Sequence, residues 1–287
     1  MPTPELAAAP WGNYTPLGWR KLWIALGRAT PLGRGSLRKF WVRHLRRSGP
    51  ILDLDLGGPL VRVYLGDNRS EIKAAVQAGS FMDEERAALK AAKAVSGRVN
   101  VVDIGANAGL FTALALHAAN GDGHVLAIEP NPMLLQRLQT NIALNQGNAR
   151  VDVRAVAVGA ETASLDLQFK AKDLGGASLA QTNAAQNNDV AGLETLKVPV
   201  ESLMGLLTDI GMDTISLLKI DVEGFEDRVL VPFLADAPDM LLPECILMEV
   251  AHEYRWQSDL RTAWQERGYQ VSTKRGADIT LTRQSAS

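Results

Sequence analysis

At 287 residues, with 46% hydrophobic and 22% charged residues, the chain has enough apolar material for one large α/β domain with an N-terminal addition. Its composition excludes disordered and fibrous classes. The formal charge of −2 conceals an asymmetry: residues 20–47 hold nine Lys or Arg and no acid, which leaves 21 bases against 32 acids, a net −11, on the other 259 residues. An acidic body opposes broad nucleic-acid binding, which needs clustered Lys and Arg to neutralise phosphates, so no nucleic-acid partner is expected.

The single cysteine, Cys245, allows no intramolecular disulfide, zinc ribbon or Cys-x-x-Cys chemistry, which suits a reducing cytoplasm. No basic patch followed by an apolar segment stands at the N-terminus, and no apolar run approaches the roughly 18 residues of a membrane span. The expected localisation is cytoplasmic.

Residues 1–16 are rich in Pro and Ala and read as a loose tail. Apolar positions at Trp19, Leu22, Trp23 and Leu26, then Leu37, Phe40, Trp41 and Leu45, recur at helical spacing among bases and predict two short amphipathic helices broken around residues 31–35. Alternation over 51–65 around Gly57-Gly58-Pro59 predicts a hairpin, and 84–94 reads as a helix. From Val99 strands and helices alternate, with strands expected near 99–104, 124–129, 151–156, 215–222 and 245–250. This is the mark of a doubly wound, mainly parallel α/β sheet. Asn131-Pro132 supplies an N-cap and a first-turn proline for a helix through Leu144. Residues 164–169 and 271–281 alternate like antiparallel edge strands, whereas the polar, weakly patterned stretch 170–197 reads as a long excursion that folds over the acceptor. The expected organisation is a basic, Trp-rich extension and cap over residues 1–97 and a catalytic domain over 98–287.

The strongest motif runs from Val101 to Gly109, Val-Val-Asp-Ile-Gly-Ala-Asn-Ala-Gly, an apolar strand entering a glycine-containing turn and then a helix. Ligands of open α/β sheets bind beyond the carboxyl ends of the strands, where glycine lets the backbone come close. A dinucleotide fingerprint requires glycines at 105, 107 and 110, but the chain has Asn107 and Leu110 and places Gly at 109. Asp103 would also set a carboxylate near a pyrophosphate, an electrostatic cost that becomes an asset for a cationic sulfonium compound. Both features oppose an NAD-dependent oxidoreductase. Glu129 ends the next strand, where an acid can accept hydrogen bonds from two ribose hydroxyls. The plain alternative is that Asp103 and Glu129 cap helices and the glycines only turn the chain.

A second segment, Lys219-Ile220-Asp221-Val222-Glu223-Gly224, puts a lysine inside a central strand, on the same side as Asp221. A buried ammonium needs a partner, so the pair is either a structural tie or part of the chemistry. Glu249 ends the following strand, and Asp103, Glu129, Asp221, Glu223 and Glu249 are expected to converge on one crevice. His252, in the next loop, is either a solvated side chain or a general base.

At these residues the sequence resembles the FkbM family of methyltransferases, from the Val102–Gly109 motif through Glu129-Pro130-Asn131-Pro132 and Lys219–Gly224 to Leu247-Met248-Glu249, over roughly Phe81 to Leu281. The resemblance implies a Rossmann-like class I methyltransferase fold, S-adenosyl-L-methionine as donor, and most often O-methylation of a hydroxyl on a sugar, a glycan or glycolipid precursor, or a natural-product scaffold. The implied cofactor set is Asp103, Gly105, Ala106, Asn107, Gly109, Glu129, Pro130, Asn131 and Asp221. Within it Asp103, Gly105, Asn107 and Gly109 surround the methionine end and Glu129 the ribose, while Asp221 and Glu223 approach the transferred methyl. Phe225, where relatives carry a small residue, is a departure expected to alter packing near the acceptor.

The expected reaction is in-line attack of an acceptor oxygen on the sulfonium methyl, with rate from alignment and water exclusion and help from a base. The catalytic candidates are Lys219, Asp221, Glu223, Glu249 and His252. No metal-ligand spacing stands out, although Asp221 and Glu223 could hold a hard cation. A small-molecule N-methyltransferase and a non-catalytic nucleotide-binding module of the same fold are the alternatives. Partners are a small-molecule or glycan acceptor and, through Trp19 to Arg47, either an anionic membrane surface or the main domain itself, which that segment would cap.

Overall fold

The computed structural model describes residues 9–30, 37–77, 81–145, 147–170, 173–179 and 193–284. Helices α1 (Gly18–Ala29) and α2 (Leu37–Arg46) precede a hairpin of β1 (Ile51–Asp55) and β2 (Leu60–Tyr64), then helices α3 (Arg69–Gln77) and α4 (Asp83–Ser96). The succession β3 (Val99–Ile104), α5 (Leu110–Ala119), β4 (Gly123–Ile128), α6 (Pro132–Asn145) and β5 (Arg150–Arg154) winds one half of the main sheet. Strands β6 (Ala157–Gly159), β7 (Ala163–Lys170), β8 (Asp173–Leu179) and β9 (Leu193–Ser202) form a second sheet. The other half of the main sheet follows as α7 (Leu203–Ile210), β10 (Leu217–Ile220), α8 (Glu226–Asp236), β11 (Cys245–Glu249), α9 (Leu260–Glu266), β12 (Tyr269–Arg275) and β13 (Asp278–Arg283).

The main sheet has seven strands in the order β12-β13-β11-β10-β3-β4-β5. The five from β11 to β5 are parallel, and β13 runs antiparallel to both its neighbours. The chain leaves β3 first toward β4 and later returns to its other side as β10, so the strand order reverses between β3 and β10. An open α/β sheet places its ligand crevice at that reversal, beyond the carboxyl ends.

Period-2 geometry divides the central strands between two cores. Val101, Val125, Ala127, Leu217 and Leu247 face α4, α5 and the N-terminal elements, whereas Val102, Ile104, Leu126, Leu218, Ile220 and Met248 face α7, α8 and α9. Both faces are covered, the doubly wound arrangement expected from the sequence.

The first of these cores continues into the N-terminal residues through Ile24, Trp41, Leu45, Leu52 and Val63. The hairpin is stitched to α6 by two asparagines. Asn141 accepts from the Arg62 N–H at 2.7 Å and donates to the Ala108 carbonyl at 2.7 Å, and Asn145 makes a two-way bond with the Leu60 backbone. Arg137 on the same helix donates to Asp67 and to the buried Glu71 at 2.8 and 2.6 Å.

Two expectations need correction. The stretch 170–197 is not a plain excursion, because 173–179 and 193–197 belong to β8 and β9; residues 171–172 and 180–192 lie outside the described residues. Polar residues disguise these strands because much of this small sheet is exposed. Residues 164–169 do not form an edge either, since β7 pairs with both β8 and β9. The stretch 271–281 holds parts of two strands, of which β12 is the edge and β13 lies inside it.

Candidate active site

The turn after β3 is shaped by backbone that ordinary residues avoid. Gly105 has φ +77, and a Cβ there would lie 2.1 Å from the Asp221 carbonyl oxygen, so the β3 and β10 loops touch only because residue 105 lacks a side chain. Asn107, at a position that a dinucleotide fingerprint gives to glycine, takes the left-handed conformation at φ 56. Its Oδ1 accepts from the Ala108 N–H at 2.7 Å and from the Asn68 side chain, which holds the turn. At Gly109, with φ +79, a Cβ would meet Leu138 of α6 at 2.6 Å.

Two acids support this turn from below. Glu129, buried at the end of β4, accepts from the backbone N–H groups of Asn107 and Asn131, each at 2.8 Å. Burial pushes Glu129 up to about 7, the two N–H bonds lower it, and the charges of Asp103 and Asp221 raise it. Asp103, fully buried, accepts from the Thr112 hydroxyl at 2.6 Å through Oδ2, and its Oδ1 has no hydrogen-bond partner among the described residues. Burial raises Asp103, opposed by Lys219 and Thr112.

Lys219 is the register partner of Asp103 across the β10–β3 ladder, and its Nζ lies 3.9 Å from Asp221 and 5.9 Å above the Phe111 ring. Burial opposes the ammonium charge, yet Asp221, Asp103, Glu85 and Asp278 hold Lys219 above the ordinary lysine value. Beyond it the chain turns at Glu223 and Gly224, with φ 56 and 98. Glu226 secures that turn: Oε1 accepts from the Val222 and Gly224 N–H groups, and Oε2 from the Trp256 indole at 2.8 Å. Glu223 pairs with His252 at 2.8 Å, and burial with the nearby Asp221 charge pushes it up to about 7. Burial also brings Glu249 to about 7, reinforced by Asp221, Glu223 and Asp278.

Two cavities meet at this point. The smaller, about 60 Å³, is lined by Gly105, Asn107, Glu129, Pro130, Asp221 and Glu223 and roofed by Leu174, Gly175, Ala177 and Leu179 around β8. The larger, about 510 Å³, is lined by Lys219, Asp221, Glu249, Asp278, Glu84 and Glu85, with Gly27, Arg28 and Lys73 at its rim. Asp221 belongs to both walls.

This arrangement can be set beside known proteins. The sequence profile described as "Methyltransferase FkbM domain" matches residues 103–271, from Asp103 into β12. The chain belongs to the FkbM methyltransferase family. A curated relative, methyltransferase sdnD of Sordaria araneosa, is 30% identical over 154 residues, 45% of this chain, and the match spans only 58% of that relative's length. Among solved structures, the ribosomal protein L11 methylase of Lactobacillus delbrueckii subsp. bulgaricus is 15% identical with a TM-score of 0.36, covering 70% of this chain and 77% of its own. The precorrin-6y C5,15-methyltransferase of Geobacter metallireducens GS-15 is 14% identical with a TM-score of 0.38, covering 70% and 88%.

Of the residues singled out in this FkbM-family chain, Gly105, Asn107, Glu129, Pro130, Asp221 and Glu223 line the smaller cavity, and Lys219, Asp221 and Glu249 the larger. Asp103 and Gly109 stand behind the turn, as does Asn131, whose Oδ1 accepts from the Met133 N–H as the cap of α6. Ala106 is buried with its N–H on the Ile128 carbonyl. His252 faces Glu223 across the loop. Phe225 is buried, stacked under Arg228 at 4.1 Å, and lines neither cavity. The described part of the 170–197 stretch roofs the cavity that carries Glu129, not the one that carries Glu249.

Sequence reasoning missed Asn68 and Glu226. A capping pattern signals Glu226 only weakly, and nothing local signals Asn68, which reaches Asn107 from 39 positions away. It also had no view of the donors of Glu223, Glu249 and His252, which lie within 4.8 Å of one another as a possible cation-holding set drawn from two loops.

Proposed function

We propose that this chain is an S-adenosyl-L-methionine-dependent O-methyltransferase acting on a hydroxyl of a sugar, a glycan or glycolipid precursor, or a natural-product scaffold. The observation that carries this reading is the placement of Asp221 in the wall between a glycine-lined cavity and a larger acidic one. One chamber suits a donor and the other an acceptor, and the wall they share is where a group could pass.

The residues fit the cofactor. The side-chain-free approach at Gly105 leaves backbone room, and the acids Glu129 and Asp221 of the cavity wall, backed by the buried Asp103, favour a cation. Glu129, aimed by the N–H groups of Asn107 and Asn131, keeps lone pairs free for ribose hydroxyls. When bound, the cofactor supplies an electrophilic methyl on a sulfonium and departs as a neutral thioether.

A nucleoside in the smaller cavity lies against β8, whose Leu174, Gly175, Ala177 and Leu179 line it. Among the described residues β8 pairs with β7 alone, and the ladder there is irregular.

On the acceptor side we assign Glu249 as the base. It lines the larger cavity, and a carboxylate near pH 7 is matched to accepting a proton from a hydroxyl as the oxygen becomes nucleophilic. Asp221 orients the hydroxyl at the shared wall, and Lys219 offsets the clustered negative charge. The need for such a base favours a hydroxyl over a neutral amine, which is nucleophilic without one.

Calorimetry with S-adenosyl-L-methionine, followed by mass spectrometry for S-adenosylhomocysteine after incubation with a panel of glycans and glycolipid precursors, tests the proposal. Saturable binding and acceptor-dependent release are expected. Absence of binding by folded protein refutes the donor site, and binding without release for any hydroxyl acceptor refutes the reaction.

A further inference from the structure

We infer that the outer face of the α1–α2 pair is a docking surface for an anionic lipid bilayer, an inference independent of the methyl-transfer reading. Helix α1 has two apolar sides. Ile24 and Gly27 are buried toward the core, whereas Trp19, Leu22 and Leu26, at spacings of three and four residues, form a stripe on the opposite side with exposures of 49%, 72% and 38%. On α2, Trp41, Val42 and Leu45 are buried, while Leu37 and Phe40 are 50% and 63% exposed. Of the eleven large hydrophobic side chains exposed among the described residues, seven fall within residues 11–40.

The two stripes join into one surface. His44, one turn beyond Phe40 on α2, packs on Trp19 and Trp23 of α1 with ring centroids 5.4 and 5.1 Å away. The indole N–H of Trp41 donates to the Trp23 carbonyl at 3.0 Å, and Gly27 admits the Trp41 ring at a distance that a Cβ would block. The pair is therefore pinned with its apolar stripes outward.

Charge selects the occupant. No acid occurs from residue 6 to residue 52, and Lys21, Lys39, Arg43, Arg46 and Arg47 are all exposed on or beside this helix pair. The rest of the chain is acidic and would be repelled by an anionic surface, so attraction is confined to this face and fixes the orientation. Exposed Trp and Phe beside Lys and Arg match the apolar and headgroup layers of an anionic bilayer in one plane. No helix among the described residues is long and apolar enough to cross a membrane, so the attachment is peripheral. Gly27 and Arg28, at the C-terminal end of α1, also line the larger cavity, on the side of the helix away from the stripe.

The test is co-sedimentation of the full chain with phosphatidylcholine vesicles, with and without about one third phosphatidylglycerol, at low and raised salt. Binding to the anionic vesicles alone, weakened by salt, is expected. Leu22→Glu with Phe40→Glu should cut that binding at least tenfold, as should Lys39→Glu with Arg43→Glu, whose exposed side chains leave folding intact even if the first pair does not. Circular dichroism and the urea midpoint verify that each variant is folded. Three results overturn the inference: wild-type protein that stays in solution with both vesicle types, folded variants that bind as well as wild type, or a wild-type dimer that ignores vesicles and dissociates on Leu22→Glu with Phe40→Glu.

Discussion

Lys219 and Asp103 stand opposite one another in the register of the two central strands, a cation and an anion where parallel sheets ordinarily carry aliphatic residues. Lys219 lies among four acids, Asp221, Asp103, Glu85 and Asp278, so its removal leaves buried negative charge without a counter-ion. Lys219→Met is expected to lower unfolding free energy by about 3 kcal/mol, read from urea denaturation, while Lys219→Arg recovers part of it. A Met variant as stable as wild type would show that the acids are solvated without the lysine.

Glu249 should set the pH dependence of turnover. Its carboxyl titrates near 7 and must be ionised to take a proton, so kcat should climb as pH rises through 7 and level off above it. Glu249→Gln is expected to lose a factor of about 10² or more and the rising limb with it, while cofactor affinity by calorimetry changes little. Retention of the limb in the variant would move the base elsewhere.

Gly105→Ala combines a left-handed backbone with a Cβ 2.1 Å from the Asp221 carbonyl. Because neither contact atom is the end of a flexible side chain, the β3 and β10 loops must separate. The expected result is a loss of about 2 kcal/mol of stability together with loss of cofactor binding; a variant that binds normally would mean the loops have slack that the structure does not show.

Glu129, Glu223 and Glu249 all titrate near 7, above the ordinary glutamate value. Between the unfolded and folded values the native chain holds protons that the unfolded chain has released, so their stabilising contribution is full below the ordinary glutamate value and is lost as pH rises from there through about 7. The melting temperature of the ligand-free protein should therefore fall between about pH 5 and pH 8, less steeply in Glu129→Gln. A melting temperature that rises over that interval would contradict the burial of these acids.

Strand β8 roofs the chamber assigned to the nucleoside, so its amides should respond to the cofactor. Hydrogen exchange over residues 173–179 is expected to change on adding S-adenosylhomocysteine, with β4 and β10 unaffected beyond their ends. Unaltered exchange there, with binding verified independently, would place the nucleoside elsewhere.

The main sheet was legible in the sequence because its strands bury both faces and so read as apolar runs, and because Asn131-Pro132 and the Val101–Gly109 turn punctuate them. The 173–179 strand was not, since its polar, glycine-containing residues carry no period that burial would impose. In the site, Asp103, Glu129 and Asp221 could be placed because strand ends converge by topology. Asn68, which props Asn107, and the meeting of Glu223 with His252 depend on how separate loops fold toward each other, which spacing along the chain does not encode.

Because Asp221 backs both chambers, the occupants of the two cannot be thermodynamically indifferent to each other. A positive guest on one side alters the field felt on the other. By reciprocity, whatever factor the first ligand imposes on the affinity of the second is returned in equal measure. With the donor and acceptor assigned as proposed, the partition makes their recognition a single linked equilibrium, whose sign follows from the charge that each brings to the same carboxylate.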